Sequence, residues 1–185
     1  LFKSEALFAR DKEFKISHYD MANRLSYFLW ASMPDEQLFE LAEEEKLFDE
    51  TVLAKQIQRM LSSPRADTIG NIFGGQWLGF QHLGTRIRMD PIDNPWCTDT
   101  LMAAMRQETS MLLNYAFRND VSATELLLAD YTFINEELAR HYRIPGIRGA
   151  EMRKINLTSP HRGGLLGQGS LLAVTSFPGR TSPIV

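Results

Sequence analysis

One stretch constrains the fold more than any other: DTLMAAMRQETSMLLNYAFR, from Asp99 to Arg118. Its Leu101, Met105, Glu108, Leu112 and Tyr115 recur at helical spacing, so they line one face of a long helix. A carboxylate therefore stands in an otherwise apolar seam. An unpaired buried carboxylate costs several kcal/mol, so Glu108 needs a cation or hydrogen-bond donors. Arg24, at the border of the apolar stripe of an earlier helix, is the favoured partner, with Arg140 and Arg162 behind it. The ordinary reading is a pair that locks helices together; a catalytic or ligating carboxylate is the alternative.

Around this helix the pattern is helical almost throughout. Asp20 reads as the cap of a helix to about Ala31, with Met21, Leu25, Phe28 and Leu29 inward. Ser32 reads as the next cap, with Leu38, Leu41 and Ala42 inward, and Asp49 as a third, ahead of Val52, Leu53, Ile57, Met60 and Leu61. Pro64 opens a glycine-bearing helix toward Phe80, and residues 81–97 form a loop. A short helix is predicted over Ser122–Ala129, and another within YTFINEELARHYRI, capped near Thr132 or Asn135. Only MRKINL carries a weak strand signal. The fold class is mostly α, an irregular multi-helix bundle with long loops and little or no sheet.

Composition excludes several functions. The chain has 185 residues, 44% hydrophobic and 23% charged, which suits a globular domain with a core of its own. The net charge is −3 and the basic residues are scattered, so no nucleic-acid partner is expected. No apolar run reaches the ~18 residues of a membrane span. Cys97 is the only cysteine, which rules out an internal disulfide, a multi-thiolate zinc site and a C-x-x-C-H haem attachment in these residues.

The other chemical signals are weak. Glu137 and His141, at i and i+4, would make half a metal site, but H-E-x-x-H is absent, so no metal or cofactor residues are assigned. His18, His82 and His161 have no partner at ligand spacing. Ser170 in GQGSLL is not in a nucleophile elbow. Near the end, RGGLLGQGSLLAV holds four glycines within seven residues but lacks a phosphate-loop ending. The expectation is a glycine-containing helix over Arg162–Val174 that packs closely on its neighbours. An extended segment over Thr175–Val185 would then lead toward a further domain, since Ile184-Val185 is a costly apolar end for a soluble chain. The start, Leu1-Phe2-Lys3, likewise reads as an edge of something longer.

Several blocks together resemble a known family: RLSYFLWASMPDEQL, QWLGFQHL, LLLADYTFINEELARHYRIPG and RGGLLGQGSLLAVTSFPGRTSPI. They resemble the planctomycete-type, cytochrome c-associated proteins of unknown function, large multidomain bacterial polypeptides. The resemblance implies a helical domain over residues 1–161 and the start of the following segment over 162–185, packed on the first. It implies an extracytoplasmic location, periplasmic or secreted, and a c-type haem elsewhere in the full-length protein, with no cofactor in this part. Its partners would be neighbouring domains of the same polypeptide and a polysaccharide. The leading expectation is a helical module that supports a redox or substrate-binding assembly. The alternatives are an oxidative or hydrolytic enzyme domain acting on a polymer or polysaccharide, or a pure interaction scaffold. An enzyme would use a Glu/Arg/His cleft, and its candidate catalytic residues are Glu108, Arg24, His141 and Arg162.

Overall fold

The computed structural model describes residues 16–158 and 162–176. The chain is mostly helical, as the periodicity predicts, and it divides into two units after Met60.

The first unit contains α1 (His18–Trp30), α2 (Glu36–Glu43) and most of α3 (Glu50–Ser62). The cap of α1 is Ser17, not Asp20. Ser17 accepts from the Asp20 N–H, and Asp20 reaches back to the Ser17 N–H, a reciprocal capping box. The inward face also differs from the expected stripe. Ala22, Ser26, Leu29 and Trp30 are buried, while Phe28 is 53% exposed. Ala22 and Ser26 are fully buried, and α1 packs against α2. The cap of α2 is Asp35 rather than Ser32. Asp49 caps α3 as expected, accepting from the Val52 N–H at 3.1 Å. His18 Nδ1 accepts from the Leu47 N–H at 3.0 Å, and Trp30 Nε1 donates to the Met60 carbonyl at 3.0 Å.

Asp35 has two tasks. Its Oδ1 accepts from the Leu38 N–H at 3.1 Å, and its carboxylate takes a two-pronged bond from Arg59 at 2.6 and 3.1 Å. Asp35→Ala removes both cap and ion pair and is expected to cost about 2 kcal/mol. Asp35→Asn keeps the cap and loses most of the charge pairing, so its loss should be about half. Thermal unfolding of the two variants checks this; equal losses would mean that the cap contributes nothing, and no loss in Asp35→Asn would mean the same of the ion pair.

The second unit is organised on α5 (Asp99–Arg118), the helix that the sequence delimits best. Thr98 caps it by accepting from the Leu101 N–H, and Asp99 sits favourably in its first turn. Residues on most of its circumference are buried, including Leu101, Met102, Met105, Leu112 and Leu113, each contributing roughly 1.5–3 kcal/mol. The predicted helix from Pro64 is instead broken into a 3₁₀ turn (Pro64–Asp67), a π-helical turn (Ile69–Gly74) and the short α4 (Gly75–Trp77). Proximity to α5 explains two of its glycines. A Cβ on Gly70 would lie 2.3 Å from the Ser110 carbonyl oxygen, and one on Gly74 would lie 2.3 Å from Leu113 Cδ1.

After α6 (Ala123–Leu128) comes a strand where the periodicity predicts a helix: β1 (Tyr131–Ile134) pairs antiparallel with β2 (Arg153–Asn156), Thr132 opposite Ile155. The β-branched and aromatic residues of YTFI suit a half-buried strand. Asn135 then caps α7 (Glu136–Tyr142). Lys154 of β2 holds its ammonium 3.7 Å from the Tyr115 ring centre and 4.0 Å from that of Tyr131, which ties the hairpin to α5. The glycine-rich segment is two pieces rather than one helix: a 3₁₀ turn (Leu165–Gly167) and α8 (Gly169–Val174), separated by Gln168 in extended conformation. Both pieces pack within the second unit, on α6 and α5. Of the expected extended segment, residues 177–185 lie outside the described residues, as does His161.

Candidate functional site

Glu108 is 1% exposed, so the seam reading of α5 holds. Its partners are not arginines. Thr132 Oγ1 donates to one carboxylate oxygen at 2.6 Å, and the Tyr142 hydroxyl donates to the other at 2.6 Å. The expected Arg24 pair is therefore replaced by two hydroxyls. β1 supplies one and the last residue of α7 the other; Arg24 belongs to α1 in the first unit.

The network continues past these bonds. The Tyr142 oxygen accepts from the Gly169 N–H at 3.1 Å, at the start of α8. A Cβ on Gly169 would lie 2.6 Å from that oxygen, so glycine is needed for the approach. One residue on, Ser170 Oγ lies 2.5 Å from Thr109 Oγ1, both fully buried. Thus Glu108 and Thr109, adjacent on α5, bind α7 and α8 through one connected set of polar groups. Arg162 stands over the Tyr142 ring, 3.7 Å from its centre, and donates to the Gly167 carbonyl at 3.3 Å.

Burial sets the electrostatics. It raises the Glu108 pKa to about 7, against the lowering effects of the Thr132 and Tyr142 bonds and of the Arg162 charge. Burial and the facing Glu108 push the Tyr142 phenol up as well, so it stays a donor. His141 is shifted down by burial and then by Arg162. It stacks on Trp96, ring centres 4.9 Å apart.

Of the four candidate catalytic residues, Glu108 and Arg162 flank Tyr142 from two sides, and His141 precedes it in the chain. The Glu137–His141 pair does not form: Glu137 accepts from the Thr98 and Thr100 hydroxyls at 3.0 and 2.7 Å, fastening α7 to the start of α5. Among the described residues no group of three His, Cys, Asp or Glu side chains could hold a metal ion, and no helix could cross a membrane.

Sequence reasoning missed Thr132, Tyr142 and the Thr109–Ser170 pair. The available signal was a threonine in the apolar strand pattern YTFI, which the helical reading of that segment hid.

Glu108, Thr132, Arg162 and Gly164 border a crevice of about 190 Å³, open mouth included, with room for about one water. Gln168 Oε1 and the Tyr131 hydroxyl border it too, and both are buried without a protein partner. A substrate would not fit.

Residues 16–144 match the model of a family described as PSD4, protein of unknown function (DUF1592). The chain belongs to the DUF1592 family. The match takes in Glu108, Thr132 and Tyr142, so the carboxylate and both its hydroxyl partners lie within the DUF1592 span; Arg162, Gly169 and Ser170 follow it. No match was found among curated proteins or among solved structures.

Proposed function

We propose that this DUF1592 chain is a non-catalytic helical module of a larger extracytoplasmic, cytochrome c-linked polypeptide. In this reading it supports a redox or substrate-binding assembly built with neighbouring domains. The observation that carries the reading is the closure of the Glu108 network. Both carboxylate oxygens are occupied by hydroxyls of the same unit, and the adjoining crevice has room for about one water. A general acid or base must come within hydrogen-bond reach of a substrate, and Glu108 is sealed from one. The extracytoplasmic setting and the haem link rest on the resemblance of the sequence blocks.

The test is the full-length polypeptide with Glu108→Gln, studied by haem spectroscopy and a turnover screen on polysaccharide and redox substrates. Any turnover of the wild-type protein should survive the substitution. Loss of turnover with unchanged melting and unchanged haem spectra would favour the enzyme alternative.

A further inference from the structure

The sheet of the second unit ends in an open edge. It has two strands among the described residues, and β1 occupies one side of β2. The register fixes which backbone groups of β2 are left over. Leu157 donates its N–H to the Asp130 carbonyl, so these two residues form a hydrogen-bonded pair. Alternation along an antiparallel ladder then makes Thr132–Ile155 and Ile134–Arg153 hydrogen-bonded pairs, and Tyr131–Asn156 and Phe133–Lys154 non-hydrogen-bonded ones. The N–H and C=O groups of Lys154 and Asn156 therefore point away from β1. Both residues are exposed, and none of these groups has a protein partner among the described residues.

Such an edge pairs with an incoming strand unless something blocks it, and a lysine standing beside it is a common block. Lys154 does not guard this one. Its side chain folds back across the sheet, onto the rings of Tyr115 and Tyr131. Neither proline nor glycine interrupts residues 153–158.

Charge narrows the partner. Arg153 donates to the Arg148 carbonyl at 2.8 Å, at the start of the strand, and Arg143 lies exposed in the preceding loop. None of these three arginines makes a salt bridge among the described residues, whereas Arg140 is spent on Glu136. Glu151 is the one acid between Arg143 and β2, so positive charge is in surplus. A second copy of the chain, pairing through its own β2, would bring further arginines to the same place, and like charges across a ladder are destabilising. A strand that carries carboxylates gains from the arginines while its backbone satisfies the edge.

We propose that β2 takes up an extended acidic segment of a partner protein as a third strand. The segment bonds to the backbone of Lys154 and Asn156 and sets its carboxylates against Arg148 and Arg153. The inference goes beyond the module reading and does not involve Glu108, so the two fail separately.

The test uses the 185-residue chain, labelled with ¹⁵N and titrated with the capped peptides acetyl-EVEVEV-amide and acetyl-KVKVKV-amide. The acidic peptide should shift the amide signals of Lys154 and Asn156 and slow their hydrogen exchange about tenfold or more, as new ladder bonds do and loose ionic attachment does not. Asn156→Pro removes one outward donor and leaves the bonds to β1 in place, so the variant should stay folded and bind about tenfold or more weakly. Arg148→Glu/Arg153→Glu changes two exposed side chains and should turn the preference toward the basic peptide. The proposal is overturned if neither peptide binds, if the shifts map elsewhere, or if exchange at Lys154 and Asn156 is unchanged. Equal binding of the basic peptide to the wild type would overturn the acidic assignment, and concentration-dependent pairing of the chain with itself through β2 would replace the partner protein by a second copy.

Discussion

Gly164→Ala should cost about 3–5 kcal/mol, one of the two largest effects expected for this molecule. Gly164 has φ 65 and ψ 171, a backbone region that only glycine occupies without strain. A Cβ there would also lie 1.8 Å from the Leu127 carbonyl oxygen and 2.6 Å from its carbon. These are backbone atoms and cannot rotate away. The Gly164 N–H donates to the Ala129 carbonyl at 2.8 Å, so the loop is pinned against the junction of α6 and β1. Any shift that makes room moves Arg162 on one side and Gln168 and Gly169 on the other. The Tyr142 bond to the Gly169 N–H is then lost with the packing. Gly167→Ala is the internal control: nothing lies within 4 Å of the place its methyl group would take, and the loss should be within about 1 kcal/mol. Urea unfolding of both variants decides the matter. Equal losses would mean that the glycine run is needed for loop entropy rather than for close approach.

The contrast between these glycines bears on what could be read from sequence. The run Gly163 to Gly169 signalled close packing, and three of its four members do meet neighbours within 3 Å of a notional Cβ. The run did not signal its own shape. A continuous helix was expected, but Gly164 in its glycine-only conformation and Gln168 at ψ 142 divide the segment. The bounds of α5 were legible because a cap, a first-turn acid and uninterrupted periodicity agree at Thr98, Asp99 and Arg118. The buried stripe of α1 differs from the expected one because hydrophobicity alone ranks Phe28 above Ala22 and Ser26. Where two helices come close, small volume decides which residue turns inward. Burial of Glu108 followed from its spacing; its partners did not. Thr132 and Tyr142 lie 24 and 34 residues along the chain, and helical periodicity links only neighbours on one element. The expectation of an arginine assumed an ionised carboxylate. Burial removes that assumption, since a neutral or half-ionised acid is satisfied by hydroxyls.

Protonation of Glu108 has a measurable consequence for stability. Its pKa is about 7 in the folded chain, against 4.5 as a free side chain. Below pH ~4.5 the acid is neutral in both states and exacts no penalty. Between pH ~4.5 and ~7 the unfolded chain releases the proton while the folded chain keeps it, so stability falls as pH rises. Above pH ~7 both states are ionised and the loss levels off at about 3 kcal/mol. His141 works against this slope, because its lowered pKa makes folding less favourable where the unfolded imidazole is charged. The informative quantity is therefore the stability difference between wild type and Glu108→Gln, measured by urea unfolding from about pH 4 to pH 8. The glutamine amide can still accept from Tyr142 and donate to Thr132 Oγ1 at every pH. Relative to the variant, the wild type should lose about 3 kcal/mol across that range, with most of the change between about pH 4.5 and 7. A difference that stays flat would mean that Glu108 is ionised in the folded chain throughout, held by its two hydroxyl donors and the Arg162 charge. The closed hydroxyl network would then be a carboxylate trap rather than a seat for a neutral acid.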